Sequence, residues 1–216
     1  MPKTTRRGAY AKGVAKREEI LTRALEVIAR EGYHGASVKE LAAAVGLSQA
    51  GLLHYFDSKE ELFTEILRKR DDVDVAELGG IAATPVDLEA VRDGYVQIIR
   101  HNSRVPGVVE LFSRMAVDAA DPQHPAHRFF VERNALLRGV FADAIARAQA
   151  AGELTDAVDA QTLARIFQAV ADGLQLQWML EPEVDMPAIV DDLFAALVRG
   201  RSGPDATGPR APEQRA

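Results

Sequence analysis

Apolar residues recur at intervals of three and four positions along most of this chain, and no segment alternates strictly between apolar and polar residues. The first spacing is that of one face of an amphipathic helix, whereas strict alternation is typical of a half-buried strand. We therefore predict an all-α protein of about nine helices, with short helices at the N-terminus and an antiparallel bundle of longer ones after them.

Three short helices and the start of a longer one are predicted within the first third of the chain. The first carries an apolar stripe, Ile20, Leu21, Ala24, Leu25 and Ile28, and ends at Gly32. Ser37 and Ser58 each precede a helix and are each followed three residues later by glutamate, an arrangement that caps free N–H groups at a helix start. Ser48 can cap a third, short helix that reaches Phe56.

Longer helices follow a polar stretch that contains Gly79, Gly80 and Pro85, and these breakers predict a domain boundary. The last two helices are expected at about Ala160–Glu181 and Met186–Arg201. We predict four segments in all: a flexible basic arm at 1–14, a first domain at 15–75, a second domain at 84–201 and a disordered tail at 202–216.

Charge is distributed unevenly along the chain. The net charge is -6, yet residues 1–70 contain 13 Lys and Arg against 9 Asp and Glu, while residues 71–216 contain 13 against 23. A basic head on an acidic body is typical of a protein that touches nucleic acid at one end. Random variation over a mixed surface is the alternative.

Several classes of protein are disfavoured by what the sequence lacks. Without cysteine there is no disulfide or thiolate metal site, and without an apolar run of roughly 18 residues no membrane span is expected. We therefore expect a cytoplasmic protein with no membrane partner. No metalloprotease, hydrolase, P-loop or dinucleotide motif occurs, so we predict no enzyme and no cofactor.

A metal site was weighed at His124 and His127, which lie near Asp118 and Asp121. The intervening Pro125 indicates a loop at a helix start instead. We therefore predict no metal site.

Residues 37–62, SVKELAAAVGLSQAGLLHYFDSKEEL, have the layout of a helix-turn-helix within a three-helix domain. Gly46 and Leu47 would form the turn, and Ser48–Tyr55 the second helix, which in such motifs enters a major groove. The start of that helix, SQAG, is small and polar, so its backbone can approach base edges. Gln49 can pair with adenine through two hydrogen bonds.

Four residues near this helix have both a functional and an ordinary interpretation. Gly51 costs about 1 kcal/mol against alanine, which close packing on DNA or a loosely formed helix would explain. Lys59 lies in a first helical turn, where the helix dipole disfavours a cation, so it is either a phosphate ligand or a plain surface lysine. His54 and Tyr55 are either phosphate donors or partly buried polar residues.

The whole stretch resembles the TetR family of transcriptional regulators over about Ala15–Lys69, most densely in GLSQAGLLHYFDSKEEL. The resemblance implies that the helix after the turn reads DNA and that Lys59 holds a phosphate. Leu53 stands where a phosphate-contacting tyrosine is usual, so that contact is lost or moved to His54 or Tyr55. The predicted DNA-binding residues are Ser37, Ser48, Gln49, Ala50, Gly51, His54, Tyr55 and Lys59.

The resemblance also implies a function. The first domain would bind a palindromic operator in double-stranded DNA, and the second would bind a small-molecule effector that releases the DNA. The protein would be a homodimer through its last two helices, and the apolar stretch from Leu163 to Trp178 agrees with such an interface. Internal core is the alternative for part of that stretch. An activator of the same fold and a DNA-binding protein without an effector are the alternatives.

Effector-binding candidates are the aromatic and polar residues of the middle helices, each of which could equally be ordinary core or surface. They are Tyr95, His101, Arg104, Phe112, Met115, Phe130, Phe167, Gln175 and Trp178. If His101 and Arg104 face a cavity, an acidic or carbonyl-bearing effector is indicated.

Overall fold

The computed structural model describes residues 4–77 and 87–199, and nine α-helices and no strand occur in that part of the chain. In chain order they are α1 (Thr4–Gly35), α2 (Val38–Ala44), α3 (Gln49–Leu53), α4 (Lys59–Glu77), α5 (Leu88–Asn102), α6 (Pro106–Asp118), α7 (His127–Ala150), α8 (Ala160–Leu180) and α9 (Met186–Arg199). The all-α prediction is confirmed. None of these helices is both long enough and apolar enough to cross a membrane.

The structure differs from the sequence prediction at the N-terminus, because the segment expected to be a flexible arm is helical from Thr4 onward. Ala9, Ala11 and Ala15 favour a helix, and the two intervening glycines cost only about 1 kcal/mol each. The buried stripe that starts at Ile20 anchors this helix. The predicted boundary with Gly79, Gly80 and Pro85, and the tail at 202–216, lie outside the described residues.

Local signals set the ends of the short helices. The hydroxyl oxygens of Ser37, Ser48 and Ser58 accept hydrogen bonds from backbone N–H groups three residues on, at 3.3, 3.0 and 2.9 Å. Gly46 ends α2 with a φ of 69°, a left-handed conformation that suits glycine. Its N–H donates to the Ala43 carbonyl and the next N–H donates to the Ala42 carbonyl, which completes a Schellman turn.

Two apolar cores stabilise the fold, and they do not divide where the sequence predicted a domain boundary. The second core joins α5, α7, α8 and α9. The first joins α1 to α4 but also includes residues of α6 and the start of α7, namely Val108, Leu111, Phe112, Met115, Ala119, Ala126, Phe129 and Phe130. Helix α6 therefore belongs to the core of the N-terminal domain.

Helices α1 and α6 approach each other closely at Gly107. A Cβ atom at this position would lie 2.6 Å from the Cα of Gly32 and in direct collision with the carbonyl oxygen of Ile28. Gly32 has a φ of 76° and breaks α1 at this point. Both opposing groups are backbone, so neither can turn aside as a side chain would.

We expect Gly107→Ala to destabilise the protein by about 1–3 kcal/mol, the usual cost of overpacking a tight contact. Gly94→Ala is the matched control, because a Cβ on Gly94 of α5 would meet nothing within 4 Å. The control should gain about 0.5–1 kcal/mol, the usual benefit of alanine over glycine in a helix. Denaturant unfolding at one fixed protein concentration measures both. Equal stability of the two variants would contradict the tight contact.

Candidate DNA-binding surface and effector region

Helix α3 is held by two buried apolar residues, Leu52 within it and Phe56 just after it. Because both face the first core, the start of the helix is turned to solvent. Ser48, Gln49 and Ala50 are all exposed. In the described part of the chain the Gln49 side chain makes no hydrogen bond, so its amide is available to a base edge.

Ser37 and Ser48 are exposed N-cap residues of α2 and α3. Each hydroxyl oxygen accepts a backbone hydrogen bond and keeps its own hydrogen for another partner. Capping and phosphate binding are therefore compatible at both serines.

Gly51 is half-buried, and the structure gives an internal reason for a glycine there. A Cβ at this position would lie 3.2 Å from the Ser48 hydroxyl oxygen, which caps the Gly51 N–H. His54 is exposed, and its ring centroid lies 6.0 Å from that of the half-buried Tyr55. Leu53 is half-buried and carries no polar group toward DNA.

Lys59 is the first residue of α4 and is exposed, with its Nζ 5.5 Å from the centroid of the Phe63 ring. Two other lysines of this domain are paired with acids: Lys16 lies 2.9 Å from Glu19, and Lys69 lies 2.9 Å from Glu18. Within residues 4–77 and 87–199, no carboxylate lies within ion-pair distance of Lys59. It is a cation beside α3 whose charge is not compensated.

Arg17 is a residue of this surface that the sequence analysis did not identify. Its guanidinium donates to the Tyr55 carbonyl, just beyond α3, and lies 3.0 Å from Glu61 of α4. The available signal was its spacing, because Arg17 precedes Ile20 and Leu21 by three and four residues. That spacing places it on the buried face of α1.

The predicted effector-binding residues are not brought together. Phe112, Met115 and Phe130 belong to the first core, whereas Phe167 is buried in the second core, with Tyr95 packed against that core. Gln175 lines only a void of about 10 Å³ with the buried Asn102. These residues fill the protein interior because aromatic and aliphatic side chains at helical spacing pack equally well as core.

The surroundings of His101 and Arg104 do not support an acidic effector. Arg104 is exposed, and the His101 Nε2 lies 3.8 Å from the Asp74 carboxylate. An acidic or carbonyl-bearing ligand, which was expected only if both residues face a cavity, stays a prediction.

His101 instead adjoins an ionic cluster that connects α4 to α7. The Asp71 carboxylate lies 2.6 Å from Arg70 and 2.8 Å from Arg133, and both guanidinium groups lie about 5 Å from the centre of the Phe112 ring. Burial alone would raise the pKa of Asp71, but the two guanidinium groups hold that pKa below its usual value. Burial raises the pKa of the neighbouring Asp74, because Arg70 and His101 are farther from it.

Trp178 is the one effector candidate that lines a large cleft, of about 1130 Å³, between α6, the end of α1 and the end of α8. Its walls are mainly apolar and include Tyr33 and Leu180. Arg114 in the cleft is paired with Glu110 at 2.9 Å and lies over the Tyr33 ring.

The two histidines weighed as metal ligands shape the turn between α6 and α7. His124 Nδ1 accepts a hydrogen bond from the Ala126 N–H at 3.2 Å, and His127 Nδ1 lies 2.8 Å from the Ala119 carbonyl oxygen. Over the described ranges, no three histidine or acidic side chains are grouped as a metal would require.

Comparison with known proteins places both halves of the chain in one family. The family model described as bacterial regulatory proteins, tetR family, matches residues 20–66, and the one described as BetI-type transcriptional repressor, C-terminal, matches residues 116–200. The transcriptional repressor AcnR of Corynebacterium diphtheriae is 28% identical over 185 residues, which cover 85% of this chain and 92% of AcnR.

Solved structures of other regulators have the same fold. A transcriptional regulator from Rhodococcus is 24% identical, with a TM-score of 0.65 over 85% of this chain and 96% of that protein. A regulator from Saccharomonospora viridis, solved with choline, is 25% identical, with a TM-score of 0.60 over 86% and 95%. With the helix-turn-helix and these matches, the chain belongs to the TetR family and is a DNA-binding transcriptional repressor.

Proposed function

We propose that this repressor binds a palindromic operator as a homodimer, reads it with α3, and releases it when a small molecule binds the C-terminal domain. One observation carries the proposal. The start of α3 is exposed, with no hydrogen bond to the Gln49 side chain in the described residues, and it lies beside Lys59, whose charge has no carboxylate partner there. A reading helix needs side chains that are free to meet bases, and a nearby cation supplies the backbone contact.

The predicted residues divide into two roles. Gln49 would read a base edge, while Ala50 and Gly51 keep the helix start small enough for a close approach. Phosphates would be held by Lys59 and by hydroxyl or ring donors, which are supplied by Ser37, Ser48, His54 and Tyr55. Leu53 offers no such donor.

We expect Gln49→Ala to change the preferred base at one position in each half-site, at a cost of about 1–3 kcal/mol for the parental sequence. Lys59→Ala should weaken binding to all sequences alike and reduce the slope of log affinity against log salt by about one. Selection from a random duplex pool, followed by salt titrations, measures both.

If Gln49→Ala and the parent select the same site, Gln49 is not the residue of α3 that reads a base. No enrichment of any sequence by the parent at low salt would refute operator binding itself.

The outward face of α8 supports a homodimer. Ile166, Ala169, Gly173, Leu176 and Leu180 follow one another at intervals of three and four residues, a spacing that places them in one stripe. Leu180 is 83% exposed and Leu176 is 50% exposed in the single chain. The outer face of α9 continues the apolar surface at Ile189. A second copy of the chain, packed as a four-helix bundle, would cover this stripe and bring two α3 helices into successive major grooves.

Leu176→Asp should raise the dimer dissociation constant about 100-fold, because an unpaired carboxylate in an apolar interface costs about 3 kcal/mol or more. Leu136→Asp is the matched control. Leu136 is 69% exposed on α7, two residues from both Asn134 and Arg138, which bond Gln168 of α8, so it lies on the opposite side of α7. Sedimentation equilibrium measures both, and equal dissociation constants would contradict the α8 interface.

The cleft beside Trp178 supports a small-molecule effector with a positive charge. Its wall includes Leu176 and Leu180 of the α8 stripe, so in the proposed dimer the partner subunit would close that side of the cleft. Trp178 supplies an aromatic ring, and the cleft has two acids, Glu110 and Asp118. The one base, Arg114, is paired with Glu110 and lies over the Tyr33 ring, which leaves the charge of Asp118 in excess. Aromatic rings and excess negative charge favour a cation. The structure of the Saccharomonospora viridis regulator contains such a molecule, choline. Because Gly32 and Gly107 also line the cleft, a ligand there touches the contact between α1 and α6.

Trp178 is the only tryptophan of the chain, so its fluorescence reports on the cleft directly. Choline should change that fluorescence and lower operator occupancy. Its uncharged isostere, 3,3-dimethylbutanol, should bind about tenfold more weakly, because it lacks about 1.4 kcal/mol of attraction between the cation and the cleft. Asp118→Asn should reduce the difference in affinity between the two compounds, because it removes a negative charge from the cleft. Equal responses to the two compounds would contradict a cationic effector.

A further inference from the structure

Arg17 spans three helices with one side chain. Its Nη1 donates to the Tyr55 carbonyl, and its Nη2 lies 3.0 Å from Glu61 and 3.4 Å from Glu65. The guanidinium carbon lies 4.3 Å from the centroid of the Phe56 ring. A residue of α1 is thus bonded both to the chain that leaves α3 and to the first two turns of α4.

Helix α3 needs such support because it has only five residues, Gln49–Leu53, and includes Gly51. A helix this short is unstable by itself, and its last carbonyls have no partner within the helix. Its start is capped by Ser48. Its end leads to the Tyr55 carbonyl, whose partner is Arg17.

Glu61 extends the same support to the turn before α4. One of its carboxylate oxygens bonds Arg17, and the other accepts a hydrogen bond from the Asp57 N–H at 2.5 Å. Ser58 caps the Glu61 N–H at 2.9 Å. The turn that is held in this way leads directly to Lys59.

The charge of Arg17 is already compensated. Two carboxylates, Glu61 and Glu65, lie within ion-pair distance, and the side chain is only about one-third exposed. Lys59, by contrast, is exposed with no carboxylate partner in the described residues. The two cations near α3 therefore have different surroundings, and only Lys59 is arranged to receive a phosphate.

We propose that Arg17 is a positioning residue that fixes the direction of the reading helix relative to α1 and α4, and that it contributes to sequence discrimination without contacting DNA. This inference rests on the proposed reading of the operator by α3. It predicts that the directional bonds of the guanidinium matter more than its charge, because lysine has the charge without the planar pair of donors.

The test uses full-length protein and fluorescence anisotropy, with the selected operator and an unrelated duplex of equal length, at several salt concentrations. Arg17→Lys should bind the operator about tenfold more weakly, comparable to one mismatched base pair. Its affinity for the unrelated duplex and its salt slope should equal those of the parent, because the number of cations is unchanged. Arg23→Lys, at an exposed ion pair with Glu26 on the same helix, should match the parent in every measurement.

Parental operator affinity in Arg17→Lys would overturn the proposal, as would equal losses on the two duplexes with a lower salt slope. Glu61→Gln provides a second test should Arg17→Lys unfold, since an amide has only one acceptor oxygen and cannot bond both Arg17 and the Asp57 N–H. It should lose operator affinity while binding the unrelated duplex no less tightly, and retained selectivity would overturn the proposal. If the parent protein binds the operator and the unrelated duplex equally well, operator reading by α3 is itself refuted. That result differs from an Arg17→Lys variant that keeps the operator affinity of a selective parent, which would refute only the role of Arg17.

Discussion

The backbone contact between α1 and α6 is the constraint on which the arrangement of the two halves depends. At Gly107 the chain of α6 lies directly on the broken end of α1, at a distance that excludes even a methyl group. Around it, the apolar residues of α6 and the start of α7 complete the core that supports the helix-turn-helix. The position of α3 is thus set through α1, which carries both the contact with α6 and the arginine that bonds the chain just beyond α3.

Electrostatics separates residues that support the fold from residues that face a partner. Arg17, Arg70 and Arg133 are each held by carboxylates, and their planar groups also lie against aromatic rings. Such cations are already paired within the protein, whatever their contribution to the overall charge. A count of basic residues along the sequence could not show this, because Arg17 and Lys59 each count as one positive charge. In the structure Arg17 is paired with two carboxylates, whereas Lys59 has no carboxylate partner in the described residues.

Much of the fold could be predicted from the sequence because its determinants are local. Ser37, Ser48 and Ser58 cap the helices that they precede, and Gly46 ends α2, all within a few residues of chain. The extent of α1 was missed because two glycines outweighed three alanines in the interpretation. The effector residues could not be sorted, since Phe112 and Phe167 have the same sequence character and are separated only by the tertiary packing into two cores. Gly107 and Arg17 act on residues that are far away in sequence, and helical periodicity carries no record of such partners.

The composition of the first core has a consequence for how these proteins diverge and are re-engineered. Eight of its residues come from α6, α7 and the turn between them. All eight lie after residue 77, where α4 ends and where the N-terminal domain would be separated from the rest of the chain. A chimera that joins residues 1–77 of one repressor to the remainder of another would place an unmatched α1 against Val108, Leu111 and Phe112. The N-terminal domain is therefore not an interchangeable module, and a substitution that changes the packing surface of α1 must be matched by one on α6.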